Sequence, residues 1–180
     1  MIVAVVLVVL ILYVIATYNG LVKLRNRIEA AWAQIDVQLK RRYDLIPNLV
    51  ETVKGYAAHE RATLDAVITA RNAAMAAPSG SHQQAQAENA ISGALRQLFA
   101  LSEAYPDLKA NQNFGQLQEE LTSTEDRIAY ARQFFNDSVL KYNSKIQAFP
   151  GVILANAMGF KPREYFEADD DSRGPVKVTF

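Results

Sequence analysis

Apolar residues follow two different patterns along this chain. Residues 2–16 form an unbroken apolar run, and no charged side chain occurs before Lys23. A helix made of the residues before Lys23 is about 33 Å long, which matches the ~30 Å hydrocarbon core of a bilayer. Tyr18 toward its end, and the basic Lys23 and Arg25 beyond it, are typical of a membrane interface. The pattern predicts a transmembrane anchor over residues 1–22.

The rival interpretation of this segment is a cleaved signal peptide. Such a peptide has a basic start and small residues at its cleavage site. The chain begins Met1-Ile2-Val3, and Ala16-Thr17-Tyr18 matches a cleavage site poorly. A retained single-pass anchor is therefore the preferred interpretation.

From about Asn19 onward, apolar residues instead recur at steps of three and four. This spacing places one face of each helix toward a core. An alternating strand pattern occurs only in residues 176–180, so the predicted fold class is all-α. The clearest series are Ile28-Trp32-Ile35-Leu39, Ile46-Leu49-Val53-Ala57, Ile91-Leu95-Leu98-Leu101 and Ile128-Ala131-Phe135-Val139.

Turn residues divide this periodic region into helices, with clear breaks at residues 78–81, 105–107 and 149–151. An earlier reversal fits two places. At Arg42–Leu45, Asp44 is a good N-cap and Pro47 suits a first helical turn; the other place is near Gly55–Glu60. We favour the first, and short connections then favour antiparallel neighbours. The prediction is an antiparallel up-down four-helix bundle over residues 23–158 and a mostly irregular tail over residues 159–180. The predicted helices lie near residues 19–42, 45–77, 84–104 and 113–148.

Composition excludes several classes of function. The chain has 19 basic and 19 acidic residues, so it lacks the basic footprint of a nucleic-acid binder. It has no cysteine, and neither of its histidines, His59 and His82, follows a glutamate at the spacing of a di-metal bundle. Phosphate-binding glycine loops and nucleophile elbows are missing too. We expect no catalytic residue, no metal and no cofactor, and hence no enzyme.

Two clusters are candidates for an interaction surface. Residues 40–49 combine three basic side chains with the predicted cap and proline, and residues 55–60 contain a glycine next to aromatic and ionisable residues. The first cluster fits either a structural corner, where Arg42 binds the free carbonyls at a helix end, or a docking surface. Trp32 lies where it can face a neighbouring molecule. The candidate interaction residues are Trp32, Arg41, Arg42, Asp44, Pro47, Asn48, His59 and Glu60.

These motifs resemble those of the LemA family of bacterial membrane proteins, and the resemblance covers essentially the whole chain. It implies an N-terminal anchor followed by an antiparallel helical bundle, and it carries no established enzymatic activity. The residues that carry it are Tyr18-Asn19-Gly20-Leu21-Val22, Ala31-Trp32, 41–50 (RRYDLIPNLV), 53–60 (VKGYAAHE), 105–111 (YPDLKAN), 125–132 (EDRIAYAR), Tyr142-Asn143, Phe149-Pro150 and Gly159-Phe160.

The predicted function is a non-enzymatic, membrane-anchored helical scaffold that assembles with itself, docks an envelope partner, or does both. A membrane-tethered ligand-binding or sensor bundle is the alternative. The expected location is the bacterial cytoplasmic membrane, in a single pass, with the lipid bilayer and further copies of the chain as partners. Basic residues after the span favour a cytoplasmic bundle, whereas the family resemblance favours an exported one, which we prefer slightly.

Overall fold

The structure is a computed structural model and describes residues 1–166. Every regular element in that range is a helix, which confirms the all-α prediction there. The strand-like pattern of residues 176–180 and most of the predicted tail lie outside the described residues. The helices are α1 (Ile2–Lys54), α2 (Arg61–Ala76), α3 (His82–Ser102), α4 (Pro106–Lys109), α5 (Gln112–Gln147) and α6 (Gly151–Ala157).

The side chains at the start of α1 are exposed and are not covered by the rest of the protein. Its large side chains from Ile2 to Leu12 are each between 52% and 82% exposed. Within the described chain, α1 is the one helix that is long and apolar enough, by length and composition, to cross a membrane. A core helix of a soluble protein passes the same test, but its apolar residues are covered by the rest of the fold. The exposed surface from Ile2 to Leu12 therefore agrees with a helix that faces lipid, whereas Thr17 and Leu21, within the predicted anchor over residues 1–22, are buried.

Contacts divide the chain into two compact units. Unit 1 consists of Met1–Ile35 and Ala131–Tyr165, and unit 2 of Asp36–Tyr130 together with Phe166. In unit 1, buried side chains of α1 and α5 form the core; they include Leu21, Ile28, Ala31, Phe135, Val139 and Tyr142. In unit 2, α2 packs against α3, and the buried side chains include Ile46, Leu49, Leu64, Val67, Ile91, Leu98 and Leu121.

The predicted reversal at Arg42–Leu45 is wrong, because α1 runs without a break to Lys54. The predicted helices 19–42 and 45–77 are therefore wrong as well. Asp44 is an exposed residue inside α1 and caps nothing, and Pro47 lies inside the helix rather than in a first turn. The break falls in the alternative position, between Lys54 and Arg61.

A tertiary hydrogen bond explains how α1 tolerates Pro47. Proline has no N–H, so the carbonyl four residues earlier loses its helical donor. That carbonyl belongs to Tyr43, and Nε of Arg71 on α2 donates to it at 2.7 Å. A side chain from a neighbouring helix thus replaces the missing backbone donor.

The actual reversal is held by side chains from the α4 region. At the end of α1, the N–H groups of Tyr56 and Ala57 both donate to the carbonyl of Val53, which tightens the last turn. The Tyr56 hydroxyl accepts from Asn111 Nδ2 at 2.8 Å, and the Tyr105 hydroxyl donates to Glu60 at 2.9 Å. These partners are distant in sequence, so local capping rules do not find this turn.

The later helices agree with prediction. α3 and α5 begin and end within two residues of the predicted 84–104 and 113–148. Ser81 Oγ accepts from the N–H of Gln84 at 3.1 Å, and Asn111 Oδ1 accepts from the N–H of Phe114 at 2.9 Å. Both are N-terminal caps supplied by nearby sequence. The short helices α4 and α6 were not predicted.

The role of Arg71 can be tested by a double-mutant cycle with Pro47. Arg71→Met in the parent chain leaves the Tyr43 carbonyl without a strong donor, and we expect the free energy of unfolding to fall by ~1–3 kcal/mol. In a Pro47→Ala background the loss should be smaller, because residue 47 then has an N–H for the same carbonyl. Urea unfolding in detergent, followed by circular dichroism, measures all four variants.

The exposed Arg61→Met on the same helix is the control and should change stability by no more than ~0.5 kcal/mol. Strictly additive losses from Arg71→Met and Pro47→Ala would contradict the proposed replacement of the backbone donor.

Candidate functional site

A fully buried arginine lies at the middle of unit 2. Arg42 has no exposed surface, and it follows Ile35 and Leu39 in the same helical phase and precedes Ile46. Its guanidinium forms ion pairs with Glu88 on α3 and Glu125 on α5, and its Nη1 also donates to Ser92 Oγ at 3.1 Å. A buried charge is tolerated only when it is paired and hydrogen-bonded. Arg42 therefore links three helices of unit 2.

The two carboxylates have further donors. Glu88 is fully buried and accepts a hydrogen bond from the Tyr43 hydroxyl. Glu125 accepts one from Ser92 Oγ at 2.7 Å. We call Arg42, Tyr43, Glu88, Ser92 and Glu125 the charged cluster.

The environment of Tyr43 changes its proton affinity. Burial raises the pKa of the Tyr43 phenol, and its hydrogen bond to the Glu88 carboxylate raises that pKa further. Burial disfavours the phenolate, and a neighbouring negative charge does the same. The phenol therefore stays protonated and serves as a donor to Glu88 at neutral pH.

The charged cluster reaches the surface at a pocket. The Glu125 side chain is 43% exposed, whereas those of Arg42 and Glu88 are buried. The pocket has a volume of about 180 Å³ and lies between α3 and α5. Three apolar and five polar or charged residues form its walls: Leu95, Phe99 and Leu121, and Ser92, Arg96, Thr122, Glu125 and Asp126.

A second concave surface lies beside the predicted corner. This groove, of about 320 Å³, runs between α1 and the start of α5. Arg41 forms an ion pair of 3.3 Å with Glu120, and both side chains are about half exposed. The groove is lined by Leu45, Asn48, Thr52, Asn113, Gln116, Leu117 and Glu120.

The structure separates the predicted interaction residues. Arg41, Asp44, Pro47 and Asn48 are all exposed on α1, and Asn48 lines the groove. Arg42 is not part of any docking surface, because it is buried and binds carboxylates rather than the carbonyls of a helix end.

The other predicted residues lie elsewhere. His59 is exposed in the turn after α1, and Glu60 beside it accepts from Tyr105. Trp32 belongs to unit 1, where it is half-buried and makes an edge-to-face contact with Phe135 at 5.7 Å between ring centroids. The predicted residues therefore belong to both units, and their role in an interaction stays a prediction.

Polar residues within the apolar stripes do not form a ligand site. Thr124 and Ser138 are buried, and each donates to the carbonyl four residues earlier in its own helix, at 2.7 and 2.8 Å. Arg71 binds the Tyr43 carbonyl. Among residues 1–166, no three histidine, aspartate or glutamate side chains are placed to hold a metal ion.

Glu88 is the residue of the charged cluster whose burial the sequence could have indicated but for which no prediction was made. It lies on the same face of α3 as the buried residues Gln84, Ile91 and Leu95. Its carboxylate therefore faces the core. A charged residue at a core position implies a buried partner of opposite charge. Arg42 is likewise a charged residue at a core position, because it lies in the apolar phase of α1 when that helix is extended past residue 42.

Comparison with known proteins gives the family. A sequence model of the LemA family matches residues 31–180. The chain belongs to the LemA family. This confirms the resemblance drawn from the motifs.

Named relatives of this LemA-family chain are moderately similar. It is 27% identical over 184 residues to magnetosome protein MamQ of Magnetospirillum gryphiswaldense, covering 88% of this chain and 68% of the relative. Magnetosome protein MamQ 2 of Paramagnetospirillum magneticum gives the same identity and coverage. Protein LemA of Metamycoplasma hominis is 28% identical over 165 residues, covering 89% of this chain and 74% of the relative.

The charged cluster predicts different losses of stability for substitutions of the neighbouring residues Arg41 and Arg42. Arg42→Met leaves a buried carboxylate without its cation, and we expect the free energy of unfolding to fall by ~3–5 kcal/mol. Arg41→Met removes an exposed ion pair and should cost ~1 kcal/mol or less. Chemical unfolding of both variants in the same detergent gives the comparison. Equal losses would show that the buried pair does not hold unit 2 together.

The raised pKa of Tyr43 predicts a pH dependence. Above about pH 10 the unfolded chain loses this phenol proton while the folded chain keeps it. Stability from this group is therefore complete below about pH 10 and declines above it, by at most ~1.4 kcal/mol per pH unit.

Tyr43→Phe removes this titration. The variant should be less stable at pH 8, because its hydrogen bond to Glu88 is lost, but its stability should decline less steeply above about pH 10. Unfolding free energies measured across that range compare the two slopes. Parallel slopes would contradict the assignment.

Proposed function

We propose that the chain is a non-enzymatic, membrane-anchored helical scaffold that assembles with other copies of itself through the groove of unit 2. The observation that carries the proposal is the lining of this groove. Amide side chains of Asn48, Asn113 and Gln116 alternate there with Leu45 and Leu117. Each amide offers both a donor and an acceptor.

The charges around the groove also favour a protein partner. Glu120 is the one ionisable group that lines it, and that carboxylate is already paired with Arg41. A groove without a net field offers little attraction to a small charged substrate, whereas amides and leucines suit the mixed surface of a neighbouring helix. This fits self-association better than catalysis.

The rest of the proposal concerns architecture and place. In it, α2 and α3 form an antiparallel up-down bundle with the parts of α1 and α5 that belong to unit 2, and residues 1–22 cross the bacterial cytoplasmic membrane once. The bundle lies on the extracytoplasmic side, and it also offers a docking surface to an envelope protein. Confinement to two dimensions raises the effective concentration of copies, so that weak lateral contacts suffice.

The relatives are in keeping with a structural role. The names magnetosome protein and LemA protein describe no reaction. The interior charges of this chain also bind one another: Arg42 holds Glu88 and Glu125. Groups that neutralise each other in a core are not free for acid–base work.

A membrane-tethered ligand-binding or sensor protein is the second candidate function. The pocket of about 180 Å³ favours it, because the carboxylates of Glu125 and Asp126 line it together with the apolar side chains of Phe99 and Leu121. Such a lining suits a small ligand with a cationic group and an apolar part. Glu125 also belongs to the charged cluster, so a bound cation would compete with Arg42 for its carboxylate.

Site-directed cross-linking tests the scaffold proposal without background, because the chain has no cysteine. Asn48→Cys and Gln116→Cys place thiols in the groove, and Thr69→Cys places one on an exposed position of α2 as the control. A short bis-maleimide applied to native membranes should yield dimers several-fold more efficiently at the groove positions than at residue 69.

The opposite result discriminates between the two functions. Monomers alone at residues 48 and 116, at native expression, would eliminate self-assembly through the groove. The ligand-binding function would then be preferred, and Glu125→Gln would be the variant with which to examine it.

A further inference from the structure

The turn between α5 and α6, in unit 1, exposes large apolar side chains. Phe149, between α5 and α6, is 82% exposed, and Ile153 on α6 is 61% exposed. α6 itself contains Val152, Ile153 and Leu154 and no charged residue. Isolated exposed apolar residues are ordinary, but two large ones this exposed, four positions apart in the sequence, require an explanation.

This turn lies beside the end of the apolar segment of α1. The rings of Tyr18 and Phe160 are in contact, with 5.9 Å between centroids. The side chain of Lys145 lies against Gly20, and Thr17 is only 7% exposed although its apolar neighbours on α1 are bare. Protein therefore covers one side of α1 at the level of residues 17–20.

The direction of α5 places the turn closer still to the apolar segment. Arg27 stacks on Phe134 at 4.8 Å, whereas Lys145 lies against Gly20, so α5 runs toward the apolar segment as its numbering rises. After Lys145 the helix advances by ~1.5 Å per residue. Its last residue, Gln147, and the turn that contains Phe149 consequently lie beside the final turns of that segment.

The chain around the turn carries an excess of positive charge, in which Arg163 is already paired with Glu29. Residues 1–28 and 138–163 contain no aspartate or glutamate. Basic residues flanking an apolar patch are the pattern by which proteins bind the anionic headgroups of a bilayer while burying apolar side chains in its interface. The basic residues of these two stretches are Lys23, Arg25, Arg27, Lys141, Lys145, Lys161 and Arg163.

We propose that the α5–α6 turn is a second membrane contact: Phe149 and Ile153 insert into the bilayer interface beside the span, and Lys145 and Lys161 bind anionic phospholipid headgroups. The inference rests on residues 2–22 crossing the bilayer. The turn then holds the end of α5 against the membrane by contacts other than those of the span. Lipid is favoured over a protein partner by the continuity of the exposed apolar residues with the apolar segment of α1 and by the excess of positive charge around them.

Spin labelling of the full chain tests this directly, again because no native cysteine interferes. Labels at Phe149→Cys and Ile153→Cys are compared with Leu140→Cys, an exposed apolar position earlier on α5, and with Val9→Cys within the span. The protein is reconstituted in vesicles of equal amounts of phosphatidylcholine and phosphatidylglycerol. Collision of each label with oxygen, which is enriched in lipid, and with a water-soluble nickel chelate is then measured.

The expected result is an oxygen-to-nickel ratio several-fold higher at residues 149 and 153 than at residue 140, and highest at residue 9. In phosphatidylcholine alone the ratio at residue 149 should fall, because the basic residues lose their anionic partners. The same ratio in both vesicles would overturn the role of the headgroup charge.

Two results would overturn the insertion itself. Residues 149 and 153 as accessible to nickel as residue 140, with residue 9 still in lipid, would refute the turn while retaining the span. Labels at 149 and 153 shielded from both reagents would show that protein covers the turn. If residue 9 were also accessible to nickel, the span, and with it the proposed anchored scaffold, would fail first.

Discussion

Burial of one positive charge is the constraint on which unit 2 depends. An unpaired guanidinium in a core is prohibitively unfavourable, so the Arg42 position on α1 is acceptable only where carboxylates meet it. Glu88 and Glu125 come from α3 and α5, and Ser92 and Tyr43 complete their hydrogen bonding. Apolar stripes alone allow helices to pair in several ways and at several heights. The charged cluster accepts one arrangement, because any other leaves at least one ion without its partner.

Helices whose apolar spacing and ends are determined by nearby residues were predicted correctly. α3 and α5 have uninterrupted apolar periods and caps within three residues, Ser81 and Asn111, so both helices were predicted within two residues. The prediction failed at Asp44 and Pro47, which look like a helix start. What keeps α1 continuous there is Arg71, 28 positions away from Tyr43. Of the amide residues that line the groove, only Asn48 was among the predicted interaction residues. Asn113 and Gln116 are far from it in sequence, and only the fold brings them beside it.

The surfaces of the two units suggest different tasks within the proposed scaffold. Unit 1 combines the bare apolar start of α1 with an apolar turn surrounded by basic residues, a composition suited to lipid. In unit 2 the charged side chains of Arg42 and Glu88 are buried. Its groove presents amides and leucines, a composition suited to binding protein. Function in this proposal therefore depends on surface chemistry rather than on a reactive centre. This is consistent with the described residues, in which every regular element is a helix and Arg42 pairs with Glu88 and Glu125.

Tyr43 is attached to two neighbouring helices in different ways. Its carbonyl accepts from Arg71 on α2, and its hydroxyl donates to Glu88 on α3. A slide of α1 by one residue moves that position by ~1.5 Å and turns it by about 100°, which breaks both bonds at once. A slide by a whole turn brings Leu39 or Pro47 near the Tyr43 position, and neither side chain has a hydroxyl for Glu88. This part of α1 is therefore fixed against axial movement, so a piston-like shift of the helix within unit 2 would break both hydrogen bonds of Tyr43.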